Sequence, residues 1–131
     1  MHPKLRLVLR IAAVYNLLWG AWVVLWPQHF FQLVGMPAIN HPMVWQGMGM
    51  VIGVYGLGYW WASRDYVRHW PIVMVGMLGK VFGPLGYVGN LLFLDMPYPE
   101  FGYMLLLNDL PWWPFFALML LEAWRAHRFK A

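Results

Sequence analysis

The stretch WPIVMVGMLGKVFGPLGYVGNLLFL, Trp70 to Leu94, carries one charged residue, Lys80, well inside it. A second stretch, FGYMLLLNDLPWWPFFALMLLEAW from Phe101 to Trp124, carries Asp109 inside it and Glu122 near its end. Both reach the roughly 20 apolar residues that cross a bilayer. An ionised side chain at the centre of such a helix costs about 2.5–3.5 kcal/mol on insertion scales, so it is expected to face a protein interior and serve a purpose there. Opposite charges in consecutive apolar stretches point to a site inside a membrane bundle.

Working outward, 62% of the residues are hydrophobic and 11% charged, against about a quarter charged in soluble domains. Ten Trp, seven Tyr and eight Phe supply the aromatic load of interfacial belts. One small core could not cover that much apolar surface. The chain therefore reads as a single integral membrane domain, 1–131, with spans at about Leu7–Trp26, Met43–Ala62, Trp70–Leu94 and Gly102–Trp124. Short connections make consecutive spans antiparallel neighbours, and the expected fold is an all-α four-helix membrane bundle. In the first connection, HFFQLVGM (His29 to Met36) reads as a short interfacial helix resting Phe30, Phe31, Leu33 and Val34 on the membrane.

The net charge of +4 is explained by topology. Lys4, Arg6 and Arg10 precede or open the first span, Arg64 and Arg68 lie between the second and third, and Arg125, Arg128 and Lys130 follow the fourth. The connections Gln28–His41 and Asp95–Glu100 contain no Lys or Arg. This alternation predicts both termini in the cytoplasm of a multi-pass cell (inner) membrane protein. The bilayer itself is thus the first expected partner, and no basic face is left over for nucleic acid. The basic start resembles a signal peptide but runs into Leu25-Trp26-Pro27-Gln28 without a small-residue cleavage signal, so the first helix is expected to be retained.

Several chemistries are excluded. The chain has no cysteine, which removes thiolate catalysis and Cys-based metal sites. No two histidines stand at i, i+4 and none lies deep in a span, so haem ligation between helices is not expected. GMGMVIG (Gly47 to Gly53) lacks dinucleotide-fingerprint spacing, and GKVFGPLG (Gly79 to Gly86) places its Lys before the glycines, the reverse of a phosphate loop. The methionines read as apolar filling. No metal ligand set and no catalytic residue is assigned, and the cofactor is left unnamed.

Small and polar residues share one stripe of each helix at spacings of three and four. The first span has Ala12 or Ala13, Asn16 and Gly20; the second has Gln46, Gly49, Gly53 and Gly56; the third has Gly76, Lys80, Gly83, Tyr87 and Asn90. The glycines are read chiefly as packing surfaces. Asn16, Gln46 and Asn90 each suit interhelical hydrogen bonds, and their convergence on the glycine faces places them in the same interior as Lys80.

Prolines add to the site. Pro84 lacks the amide that would bond the carbonyl of Lys80, and Pro111 and Pro114 free the carbonyls of Leu107 and Leu110. Asn108-Asp109-Leu110-Pro111 reads either as a break in the fourth span at membrane depth, allowed where backbone is buried or lines a cavity, or as an interfacial helix cap. Lys80 and Asp109 are expected to form a direct or water-bridged pair, serving either ligand or proton handling or helix register alone. Glu122 is expected to pair with Arg125, Arg6 or Arg10.

LRIAAVYNLLWG in the first span, the PQHFFQLVGMP loop, the glycine-rich GMGMVIGVYGLGYW and the basic connection after it resemble the small four-helix DoxX-like membrane proteins of bacteria and archaea. The resemblance covers the first half of the chain and implies a membrane subunit or accessory protein, in some members tied to quinone-linked redox chemistry. It assigns no functional residue; LGK…FGPLG and NDLPWWPF lie outside its pattern. The leading expectation is a binding or accessory protein holding a lipophilic or quinone-like ligand, a partner subunit or a second copy of itself. Lys80 would be its donor and Asp109 its acceptor, with Asn16, Gln46, Tyr87, Asn90 and Asn108 lining the site. The alternatives are an oligomeric transporter or channel moving protons or an anion through the same pair, and a membrane enzyme using Asp109 as acid or base.

Overall fold

Residues 1–95 and 98–128 are described by a computed structural model of the chain. Lys130, grouped above with the basic residues after the fourth span, lies outside them, as do Met96 and Pro97 of the connection Asp95–Glu100. Among the described residues the chain is helical with no strand. The helices are α1 (Pro3–Leu25), α2 (His29–Leu33), α3 (Pro42–Ala62), α4 (Trp70–Phe93), α5 (Gly102–Asn108) and α6 (Trp113–Arg128), with single 3-10 turns at Pro99–Phe101 and Leu110–Trp112. Three segments are long and apolar enough to cross a membrane: Pro3–Leu25, Trp70–Phe93 and Pro99–Arg128.

Local chemistry sets the ends. Pro3 and Pro42 open α1 and α3, and Pro71 stands in the first turn of α4, where a missing amide removes no helical bond. The His2 ring accepts from the Lys4 amide at 3.3 Å and caps α1. Pro27 follows two residues after α1 ends. Gly35, at φ 73°, closes α2; its amide bonds Gln32 O and the Met36 amide bonds Phe31 O, the paired bonds of a Schellman stop.

The closest packing is α1 along α3 and α4 along α6, with a looser α3–α4 contact. Small residues make the α1–α3 approach. A Cβ on Gly20 would stand 2.5 Å from the Gly49 carbonyl oxygen, and one on Gly56 2.7 Å from that of Ala13. The Gly49–Gly53 motif is therefore consumed largely within the chain, its face turned to Gly20 and Val23.

Two apolar clusters form. One joins Leu5, Leu9, Ala12, Ala13, Tyr59, Ala62, Tyr66, Val73, Phe116 and Met119. The other joins Trp19, Val23, Phe30, Phe31 and Trp45. Phe30 and Phe31 do not rest on a membrane surface as expected. They turn inward against Trp45, at ring-centroid distances of 5.7 and 4.9 Å, because stacking on a buried indole removes more apolar area from water than an interfacial position would. Leu33 remains exposed. Exposed apolar side chains also line the long helices, among them Leu7, Ile11 and Leu18 on α1, Val54 and Leu57 on α3, and Phe82, Leu85 and Leu92 on α4. Surface of that extent matches a lipid solvent.

At one end of the molecule the N-terminus, the α3–α4 connection and α6 are tied together. Arg6 Nε donates to Ser63 O and Arg10 Nε to Ser63 Oγ. Tyr66 is fully buried; its hydroxyl accepts from the His2 amide at 2.7 Å and donates to Glu122. Glu122 thus takes a phenol and the His2 amide (3.3 Å), and among the described residues it forms no ion pair with Arg6, Arg10 or Arg125. A short, rigid phenol already buried beside it reaches the carboxylate without the ordering that a long Arg side chain requires.

Candidate functional site

Between the two clusters lies a cavity of about 180 Å³, lined by Asn16 of α1, Ile52, Tyr55 and Tyr59 of α3, Gly76, Lys80 and Gly83 of α4, and Asn108 and Asp109 at the helix break. Each wall follows from a local feature of the chain.

Pro84 is buried inside α4 and has no amide to offer the Lys80 carbonyl. That carbonyl instead accepts from Trp113 Nε1 at 2.9 Å. The α5–α6 break supplies the second wall. Pro111 excludes a regular continuation, and the chain tightens into a 3-10 turn in which the Trp112 amide bonds Asp109 O. The Asn108 carbonyl is thereby left without a helical donor, and Lys80 Nζ takes it at 2.9 Å. The Leu110 carbonyl freed by Pro114 is taken by the Trp113 amide. The prolines in two helices thus create acceptors that side chains of the opposite helix satisfy.

Lys80 is only 5% exposed. Besides the Asn108 carbonyl, its ammonium faces the rings of Phe116, Trp112 and Tyr59 at 5.7, 5.8 and 5.9 Å, within cation–π range. The carbonyl is the C-terminal end of α5, where the helix dipole also favours a cation. A carbonyl and three π-faces provide much of the solvation the ammonium gives up on burial.

The expected direct Lys80–Asp109 ion pair is not formed among the described residues. The ammonium is engaged one residue earlier in the chain, on the Asn108 carbonyl, because the 3-10 turn aims that carbonyl at α4. The Asp109 carboxylate lies over Gly83, where a Cβ would stand 2.9 Å from Oδ2. It caps no backbone amide and accepts no hydrogen bond from the described residues. Of the two expectations for this segment the break is present, with helix on each side of Asp109, and the cap is not, since the Asp109 side chain bonds no backbone amide.

The remaining polar residues divide clearly. Asn16, 3% exposed, donates through Nδ2 to Ile52 O at 3.3 Å. That bond fixes the amide's orientation and leaves Oδ1 without a partner. Asn108, 6% exposed, also leaves Oδ1 unpartnered. Gln46 is elsewhere: its amide donates to Val24 O at 2.8 Å, capping the last turn of α1. Tyr87 donates to Pro99 O at 2.6 Å and lines a different, more open hollow with Gly102 and Leu106. Asn90 bonds back to Gly86 O on its own helix at 2.8 Å. These three share the sequence spacing of the site but not the site. Gln46 stands a turn too early in α3, and Tyr87 and Asn90 lie on the far side of Pro84 in α4.

Trp112, Trp113, Tyr59 and Phe116 complete the site and were not singled out in the sequence. A signal for Trp113 existed: a carbonyl freed by Pro84 inside a long apolar helix needs a donor, and the NDLPWWPF segment supplies indoles next to Asp109. The aromatic wall has no such signal, since its residues resemble any belt aromatic until α3 and α6 are packed together. Among the described residues no cluster of His, Asp or Glu could hold a metal ion. No protein-family model, curated protein or solved structure matches the chain.

Proposed function

We propose that this is a four-span protein of the bacterial inner membrane, with both termini cytoplasmic, that acts as a binding or accessory subunit. It holds the polar end of a small lipophilic, quinone-like ligand, or a segment of a partner subunit, in the Lys80–Asp109 cavity. The single observation that carries this reading is the cavity itself. A buried cation and a carboxylate without a hydrogen-bond partner among the described residues line one partly open pocket, beside two asparagines whose buried amide oxygens are unpartnered. Buried polar groups are ordinarily paired, and leaving one unpaired costs about 1–3 kcal/mol. A fold that keeps several open in one place gains from something that fills it.

Four spans are supported by the packing of α3 along α1. With 21 residues, α3 measures about 31 Å, enough to cross where α1 crosses, and it contains no Asp, Glu, Lys or Arg. Its glycines and aromatic residues, rather than charges, lower its hydropathy. The cytoplasmic termini are supported by the meeting of Arg6, Arg10, Ser63 and Tyr66 at one end, since basic connections favour the cytoplasmic side.

The test is purification of the tagged protein from native membranes, with identification of the small molecules and polypeptides that travel with it. A lipophilic molecule or a partner is expected to be retained, and lost from a Lys80→Met/Asp109→Leu double variant that still assembles. Identical companions in both preparations would reduce the site to packing. A second reading, a small transporter or channel, draws on the helix break at Asp109, because interrupted helices beside buried charges are a transporter device. Proton or anion flux into liposomes that disappears in Asp109→Asn would select it.

A further inference from the structure

Two hollows walled by a pair of indoles lie at opposite ends of the molecule. One, of about 610 Å³, is lined by Trp22 and Trp26 together with Gln28, His29 and Gln32, and no Lys or Arg occurs between Gln28 and His41. The other, of about 350 Å³, runs between the start of α4 and the end of α6, lined by Trp70, Met74, Leu120, Ala123, Trp124 and His127. Ala123 is buried and Met74 and Leu120 half-buried, so they form its floor. Trp70 and Trp124, 38% and 56% exposed, form its rims, as indoles do at the level of lipid headgroups.

Cations gather at the mouth of this second groove. The Arg128 guanidinium lies over the Trp124 ring at 5.1 Å. Stacking uses the face of the guanidinium and leaves its N–H fork for an anion such as a phosphate. His127 Nδ1 donates to Ala123 O at 2.7 Å, since a carbonyl only accepts, and Nε2 remains as the ring's free nitrogen. Arg125 follows Trp124 and Arg68 stands two residues before Trp70, both exposed. The described carboxylates of this end are occupied: Glu122 by the Tyr66 phenol and the His2 amide, Asp65 by the Arg68 amide at 3.0 Å. An apolar slot with cations at its mouth is complementary to an acyl chain joined to an anionic head. A partner helix fits less well, because one helical turn, 10–12 Å across and 5.4 Å long, fills about 400–600 Å³, more than the groove holds.

We infer that the α4–α6 groove binds an anionic phospholipid of the surrounding bilayer. One acyl chain lies between Trp70 and Trp124 over Met74, Leu120 and Ala123, and the phosphate takes the Arg128 fork and the His127 ring at the mouth. Phosphatidylcholine carries the same phosphate but adds a choline cation, which the neighbouring arginines repel. The site is separate from the Lys80–Asp109 cavity and shares no lining residue with it, so either can fail without the other.

The experiment uses the full chain in phosphatidylcholine nanodiscs doped with phosphatidylglycerol or phosphatidylcholine bearing a diazirine in one acyl chain, at equal mole fraction. Labelled peptides are mapped by mass spectrometry. At Met74 and Leu120–Trp124 the phosphatidylglycerol probe should label about tenfold more than the phosphatidylcholine probe, the ratio expected for one hydrogen bond between charged groups. Around Trp22 and Trp26 the two probes should label alike. Arg128→Gln, a change at an exposed position, should bring the groove ratio towards one without moving the midpoint of thermal unfolding. Met74→Trp should fill the slot and remove the groove labels of both probes. Equal labelling of the groove by the two probes in wild type would overturn the inference. So would a phosphatidylglycerol preference of the same size at both ends, or one that an Arg128→Gln/His127→Gln double variant leaves unchanged.

Discussion

Lys80 shows how one residue can be anchored by contacts of three kinds: its ammonium on the Asn108 carbonyl, the same ammonium against aromatic faces, and its carbonyl on the Trp113 indole. Two of them depend on proline chemistry, since Pro84 frees one carbonyl and the Pro111 turn frees the other. Trp113→Phe removes the indole donor and leaves the Lys80 carbonyl buried and unpaired. We expect a loss of about 1–3 kcal/mol, read as a lower midpoint of thermal unfolding in detergent. Tyr66 provides a second case at this scale. Burial, and then its hydrogen bond to Glu122, push the phenol up to about 12 from the ordinary 10.0. The folded protein holds that proton more tightly than the unfolded chain does, so the stability it contributes is complete below about pH 10 and is lost as pH rises towards about 12. Thermal unfolding followed across that window should show a decline that Tyr66→Phe largely removes.

At the scale of elements, the α1–α3 pair depends on glycine where two backbones touch, and not where glycine meets open space. Gly20→Ala and Gly56→Ala would drive a methyl group into the carbonyls of Gly49 and Ala13, and overpacking of this kind costs about 1–3 kcal/mol. Gly47→Ala meets nothing within 4 Å and gains helix propensity, so it is expected to be neutral or slightly stabilising. Equal destabilisation by all three, measured by thermal unfolding, would contradict the packing account. The α5–α6 break belongs to this scale too. Its 3-10 turn, not the proline by itself, aims the Asn108 carbonyl at α4, and the site exists because this interrupted segment faces the Pro84-bearing stretch of α4, whose Lys80 carbonyl lacks a helical donor.

For the whole molecule, the test of orientation is straightforward because the chain has no cysteine. Single substitutions Gln32→Cys in α2 and Arg64→Cys in the α3–α4 connection, both at exposed positions, report opposite sides. In intact cells an impermeant maleimide should label Gln32→Cys alone, and Arg64→Cys only after the membrane is opened. The reverse pattern would invert the topology.

Much of this architecture was legible in the residues. Long apolar runs, proline starts and basic connections announced the helices within a few residues of their observed ends, because backbone groups in an apolar chain of this kind must bond within their own helix. Lys80 and Asp109 stood out for the same reason, as charges where charge is expensive. Asn16, Gln46, Tyr87 and Asn90 could not be separated by spacing, since helical periodicity places residues on a face but does not say what that face meets. Only the packed chain sent Gln46 to the end of α1, turned Asn90 back on its own helix and left the Asn16 amide oxygen buried without a partner. It also set the Lys80 ammonium on the Asn108 carbonyl rather than directly on the Asp109 carboxylate. The sequence by itself determined which groups had to be buried and partnered; the tertiary structure alone chose the partners, because hydrogen bonding is decided over a few tenths of an ångström that periodicity does not resolve.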